Sequence, residues 1–163
     1  MDLDRRFMEA ALKEARKAGD AGEVPVGCVI VLDGKIISRG YNRTEGRKDP
    51  MAHAEIIAIR KAAKSIGSWR LTGCTMYVTL EPCPMCAGAV MNSRIKRVVY
   101  GAPDPKGGAF GSMYDLSRGG LNHTAEVTGG VMAGECSDII KEFFRAARTR
   151  EPFRKNGPDS ISK

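Results

Sequence analysis

Two short segments of this chain carry side chains that belong together only if the fold brings them together. His53 lies in PMAHAEIIAI, and thirty residues later Cys83 and Cys86 lie in LEPCPMCAGAV. One imidazole and two thiolates are three of the four ligands that a tetrahedral zinc takes. A structural zinc site is ordinarily closed by four protein ligands, so three with an open corner point to chemistry on a water molecule. Glu55, two positions after the histidine, supplies a carboxylate able to carry protons for that water.

The spacing also constrains the local backbone. Cys83 and Cys86 are three apart, so on the first turn of one helix their sulfurs share a face. A helix N-terminus favours the thiolate form that zinc needs, and Pro82 suits a helix start. Residues two apart in a regular helix point about 200° apart. His53 and Glu55 can share a site only if the helix begins at or next to His53, and Pro50 supports a boundary there. Simpler readings exist for each piece: a redox dithiol, a pair of core cysteines, a core histidine, or a zinc closed by His123 in GGLNHTAE. His123 has no ligand-like spacing to anything, and H-x-E together with P-C-x-x-C makes the open zinc site the preferred reading.

With 163 residues, 42% of them hydrophobic, the chain suits one domain with a sizeable core. A single domain is expected over 1–155, with a disordered tail at 156–163. The longest notable apolar run, Val26 to Leu32, fits a buried strand and is too short to cross a membrane. The opening MDLDRRFMEA mixes charges where a signal peptide carries an apolar stretch, so a cytoplasmic protein is expected. Beyond the CxxC pair, Cys28, Cys74 and Cys136 read as buried thiols, not as a disulfide framework. The net charge is +7, and from Lys141 onward seven basic residues face three acidic ones. That is either a phosphate-backbone contact or a solvated helix face.

Along the chain, Met8, Ala11, Leu12 and Ala15 mark an amphipathic helix over 3–18. Val26 to Leu32, Asp33-Gly34 and Lys35 to Tyr41 read as a hairpin with a tight turn. A polar loop over Asn42 to Pro50 leads to a helix from His53 to Ile66, ended by Gly67. A strand is expected over Thr75 to Leu80, a helix over Pro82 to Ser93 and a strand over Arg97 to Tyr100. A long loop over Gly101 to Gly120 follows, then a short strand over Ala125 to Thr128. The last helix runs from about Glu135 to Arg148, with Ile139, Ile140, Phe143, Phe144 and Ala147 as its apolar stripe. Together these predict a three-layer α/β/α fold with a mixed sheet of about five strands: antiparallel at the hairpin, parallel where helices cross over.

H-x-E…P-C-x-x-C is the signature of zinc-dependent nucleobase deaminases. From about residue 5 to 150 the chain resembles the bacterial tRNA adenosine deaminases, which convert the wobble adenosine of an anticodon to inosine. GEVPVGCVIV, MAHAEIIAI, GSWRLTGCTMYVTLEPCPMCAGAV, SRIKRVVYGAPDPKGGAFGS and EFFRAAR carry the likeness. HAE and PCPMC are shared with deaminases of cytidine, cytosine, guanine and deoxycytidylate, so they identify the reaction. VPVG, YGAPDPKGGAFGS and the FFR helix tilt toward the tRNA enzymes. The resemblance implies a cytidine-deaminase-like fold, one Zn2+ per subunit on His53, Cys83 and Cys86, and Glu55 as the catalytic proton carrier. It implies that Asn42 hydrogen-bonds the target adenine and that Val26 helps sandwich the base. Asp104 and Lys106 would contact flanking nucleotides, and Phe144, Arg145 and Arg148 would pack or pair against RNA. It further implies an anticodon stem-loop as partner and a homodimer. Each RNA contact has a plainer alternative: Asn42 as a turn cap, Asp104 as a loop builder, Phe144 as core. Competing functions are a deaminase of a free base such as guanine or cytosine, a non-catalytic zinc module that binds RNA, and a CxxC redox protein.

Overall fold

The apolar stripe at the start of the chain folds as helix α1, Leu3–Asp20, burying Phe7, Met8, Ala11, Leu12, Ala15 and Ala18. Its first turn is capped by Asp2, whose carboxylate accepts from the Asp4 amide at 3.0 Å. This computed structural model describes residues 2–149, so the expected domain end at 155 and tail at 156–163 lie outside the described residues.

The hairpin forms where expected. Strand β1 is Gly27–Leu32 and β2 is Lys35–Tyr41, paired antiparallel with a bulge between Ile30 and Val31. Asp33 and Gly34 both take positive φ, 50° and 75°, as a tight two-residue turn requires. The polar loop after β2 contains a four-residue helix, α2, Thr44–Arg47, that composition did not reveal. Helix α3 follows, Ala54–Ile66, then β3, Thr75–Leu80, and α4, Pro84–Asn92. Strand β4 is Arg97–Ala102, two residues longer than expected. The long loop holds one 3-10 turn, Leu116–Arg118, before β5, Glu126–Thr128, and α5, Ala133–Thr149. Helix α4 corrects the sequence reading: it begins at Pro84, not at Pro82, and Cys83 is its cap.

The five strands lie in the order β2-β1-β3-β4-β5. Strand β1 is antiparallel to both neighbours, whereas β3, β4 and β5 run parallel. Side chains alternate across the sheet. Cys28, Ile30, Met76, Val78 and Val98 pack on one face with Ala54, Ala58 and Ala62 of α3 and Ala87, Val90 and Met91 of α4. Val29, Val31, Tyr77 and Val99 pack on the other face with α1 and with Cys136 and Ile139 of α5. This gives the three expected layers, with β1, β3 and β4 buried on both sides.

Gly40 sets how closely α3 approaches the sheet. A Cβ there would stand 2.5 Å from the Ala54 carbonyl oxygen and 2.9 Å from the Ala58 nitrogen. Any side chain at position 40 would push the start of α3 outward, and with it the candidate site.

The face opposite α3 and α4 is locked by a polar cluster. Arg97 grips Asp4 with two 2.8 Å hydrogen bonds and donates to Thr128 Oγ1 at 3.0 Å. The Tyr77 hydroxyl also donates to Asp4, at 2.9 Å. One carboxylate thus joins α1 to β3 and β4, and through Arg97 to β5. The forked, charge-assisted geometry places this among the stronger pairs. The Arg97 hydrogen bonds hold the Asp4 carboxyl below its ordinary value of 3.8, against an upward push from burial.

Asp4→Ala is therefore expected to cost about 1.5–3 kcal/mol at neutral pH, read by urea unfolding. Because the folded carboxyl is lowered, its contribution is complete above the unfolded value of 3.8 and is lost as pH falls below it through the lower folded value. The stability gap between wild type and Asp4→Ala should narrow on acidification. A gap that stays constant with pH would show that the charge plays no part.

Candidate active site

Two crossovers build the site. Helix α3 carries the chain from β2 to β3, and α4 carries it from β3 to β4. Strand β2 runs parallel to β3, since each is antiparallel to β1. Both helices therefore begin at the same end of the sheet, beyond the carboxyl ends of β2 and β3, where open α/β sheets commonly bind ligands.

His53 is the cap of α3, with φ −75° and ψ 153°, and Cys83 is the cap of α4, with φ −72° and ψ 172°. Each has extended backbone, and each carbonyl accepts the first helical hydrogen bond, from Ile57 at 3.1 Å and Ala87 at 2.8 Å. The expected helix boundary at His53 is met, and the H-x-E geometry is resolved as anticipated. The ring turns off the helix end while Glu55, in the first turn, faces the same space.

His53 Nδ1 lies 3.6 Å from Cys83 Sγ and 3.4 Å from Cys86 Sγ. A tetrahedral zinc with Zn–N of about 2.0 Å and Zn–S of about 2.3 Å separates nitrogen from sulfur by about 3.5 Å. All three ligand atoms lie within 4.8 Å of one another, and no other such cluster occurs among the described residues. His123 is not its fourth member: its Nε2 lies 2.7 Å from the Ile95 carbonyl, just before β4 and at the opposite end of the sheet. The donor set therefore fits zinc with one corner open.

Electrostatics support the same assignment. The Cys86 thiol donates to Cys83 and, outweighing burial and aided by His53, holds the Cys83 thiol down at about 4. Cys86 is driven up, first by that same bond and then by burial. His53 is raised, chiefly by its hydrogen bond with Cys83. The three groups share protons that a divalent cation would replace. Glu55 is 3% exposed, and burial, assisted by the Cys83 charge, raises its carboxyl. Its Oε1 is buried without any hydrogen-bond partner. A carboxylate oxygen so placed is costly unless something bound in the site satisfies it.

The remaining expected residues occupy varied positions. Asn42 follows β2, and its Oδ1 accepts from the Ala54 amide at 2.9 Å, bracing the first turn of α3. This contact reaches twelve residues along the chain and so differs from the local turn cap offered as the plainer reading of Asn42. Val26 is buried and its carbonyl accepts from the Asn42 amide at 3.2 Å. Asp104 forms a turn, with Oδ1 accepting from the Lys106 amide at 3.1 Å, while Lys106 is exposed. Phe144 is exposed and meets Phe143 edge-on, with ring centroids 5.4 Å apart, so it is not core. Arg145 and Arg148 are exposed on the same helix. The last turns of α5 flank a cavity of about 530 Å³, lined also by the end of α1 and by Pro25 next to Val26.

Sequence reasoning missed two buried acids that frame the site. Glu23, 3% exposed, accepts from the Glu45 and Gly46 amides at 3.0 and 2.7 Å, holding the loop between Asn42 and His53. Glu81, 2% exposed, sits between β3 and the Pro82–Cys83 turn. Its only sequence signal was position, an acid between a buried strand and a ligand motif.

Comparison with known proteins bears on this geometry. Residues 1–102 match the model of the cytidine and deoxycytidylate deaminase zinc-binding region. The chain belongs to that family. The deaminase is 49% identical to a tRNA-specific adenosine deaminase of Bacillus subtilis, over 96% of this chain and 98% of the relative. It is also 49% identical to one from Haemophilus influenzae, over 99% and 94%. A solved structure from work on A-to-I editing by tRNA:A34 deaminases superimposes with TM-score 0.79 at 50% identity, covering 82% of this chain and 98% of that one. A guanine deaminase from Nitrosomonas europaea, 23% identical with TM-score 0.74, shares the fold. The zinc cofactor and the cytidine-deaminase-like architecture are therefore as expected.

His53→Ala and Cys86→Ala should each lower bound zinc well below one ion per chain, measured by atomic emission on purified protein. Retention of full zinc by either variant would sink the assignment of these ligands.

Proposed function

We propose that this deaminase hydrolyses the wobble adenosine of a tRNA anticodon to inosine, releasing ammonia. One observation carries the chemistry: the unpartnered Glu55 Oε1 stands buried beside three zinc ligands that leave a corner free. Near-full-length identity to proteins named tRNA-specific adenosine deaminases supports the substrate.

His53, Cys83 and Cys86 would hold the zinc, which when bound would supply a water acidic enough to attack at neutral pH. Glu55 takes a proton from that water and returns protons to the ring nitrogen and the departing amine. The C–O bond forms as the ring nitrogen takes a proton, and the exocyclic C–N bond then breaks as the amine takes the second, so water and adenosine yield inosine and ammonia. Burial of Glu55 strengthens its hydrogen bonds to the reacting atoms. The target atom is inaccessible in a stack, so the nucleotide must be splayed from its loop, which an anticodon permits cheaply.

In this reading the Asn42 side-chain NH2, which makes no hydrogen bond among the described residues, is free to donate to the adenine. Val26, tied to Asn42 through the backbone, packs on the base. Asp104 and Lys106 contact flanking nucleotides, and Phe144, Arg145 and Arg148 offer an exposed aromatic and two cations to the RNA. The chain works as one domain. Exposed Met51 and Met85 beside the ligands, with Met113 and Tyr114, support a homodimer that covers apolar surface around the site. Five unpaired cysteines agree with a reducing, cytoplasmic setting. No helix of the described residues is long and apolar enough to cross a membrane.

Purified protein incubated with an anticodon stem-loop should produce inosine at the wobble position and nowhere else, and binding should weaken steeply with salt. Activity on free guanine or cytosine with none on RNA would overturn the proposal. Glu55→Ala should keep zinc and fold while lowering turnover by at least about 10²–10⁴-fold. Turnover within a few-fold of wild type would remove Glu55 from the mechanism.

A further inference from the structure

The loop after β4 is the least regular part of the fold near the site, yet its position is closely set. Four hydrogen bonds from its 104–112 segment converge on one carboxylate. Glu81 Oε1 accepts from the Asp104 amide at 3.1 Å and from the Ser112 hydroxyl. Oε2 accepts from the amides of Phe110 and Ser112 at 3.0 and 3.1 Å. The four donors span residues 104–112 and none belongs to β3, which ends one residue before Glu81. At Gly108 the loop passes so close over this carboxylate that a Cβ would overlap all three of its terminal atoms. The backbone ties the same parts together: Glu81 donates to the Ala102 carbonyl at 2.9 Å, and Ala109 to the Pro82 carbonyl at 2.8 Å. The next residue, Cys83, is a zinc ligand.

We propose that Glu81 is a positioning residue: it registers the 104–112 loop against the Pro82–Cys83 turn and thereby sets discrimination among nucleotides flanking the target. The proposal rests on the reading that Asp104 and Lys106 face RNA. The physical reason is the all-acceptor character of an ionised carboxylate. It satisfies four converging donors at once, which an amide of the same shape cannot do. In Glu81→Gln the side-chain NH2 would oppose backbone N–H groups, and the loop must shift to relieve them. Metal ligation and Glu55 depend on α3 and α4, so zinc and the chemical step should be spared. Recognition borne by the loop should not.

The test compares wild type, Glu81→Gln and Glu81→Asp as full-length zinc-loaded proteins. Zinc content, kcat and KM are measured on an anticodon stem-loop and on stem-loops altered on either side of the adenosine. For Glu81→Gln, zinc should remain near one per chain and kcat within about threefold, while KM rises about tenfold and the preference for the native stem-loop falls by a similar factor. Glu81→Asp keeps the charge and should recover part of the preference. Hydrogen exchange at the Asp104, Phe110 and Ser112 amides should quicken in Glu81→Gln. If that protein fails to fold, Gly108→Ala keeps the Glu81 residue but forces its carboxylate and the loop apart, and should give the same split of KM from kcat. An unchanged preference, or joint loss of zinc and kcat at constant KM, would overturn the inference. Should wild type prove inactive on RNA, the functional reading falls, and amide exchange alone still decides whether Glu81 holds the loop.

Discussion

The site exists because two helices begin side by side. Crossovers from β2 to β3 and from β3 to β4 lie on the same face of the sheet, and each helix starts at the same sheet end. His53 and Cys83 are the two caps. A cap residue has extended backbone, so its side chain is free of the helical periodicity that would turn it away from its neighbours. The same helix ends stabilise negative charge, which suits thiolates and a carboxylate gathered in a small volume. Shifting either helix by one residue would move a ligand into a regular turn and dissolve the cluster. This is why close contact between Gly40 and the start of α3 matters: it fixes where α3 sits against the sheet.

Three glutamates surround this point with nearly equal burial, and their partners divide them by role. Glu23 and Glu81 have their oxygens occupied by loop amides and hydroxyls. Glu55 keeps one oxygen with no partner at all. A satisfied buried carboxylate organises backbone, and hydrogen bonds from Ser112, Asp104 and Phe110 outweigh burial to keep Glu81 lowered. An unsatisfied one raises the energy of the resting protein until something arrives to meet it. Under the proposed function, identical side chains thus serve as scaffold and as reagent.

Much of this was readable in advance, for physical reasons. The ligand set announced itself because zinc restricts both residue type and spacing, and the boundary at His53 followed from helical geometry alone. The strands of the core and their alternation followed from period-two patterning. What escaped was non-periodic. Helix α2 is only four residues long, too short to leave a pattern. The start of α4 moved from Pro82 to Pro84 because both prolines satisfy the same local rule. Glu23 and Glu81 look in sequence like any solvated acid, since their partners lie some twenty to thirty residues away. Phe144 was open between core and surface, and packing of its neighbour Phe143 along the α1–α5 cavity decided it.

The borders of the sheet carry a last consequence. Strand β2 presents exposed Lys35 and Arg39 along one margin, and β5 on the other is only three residues long. Charged or very short margins are poor templates for a foreign strand. Growth of the sheet across molecules is thereby discouraged, which guards the chain against fibre-like stacking.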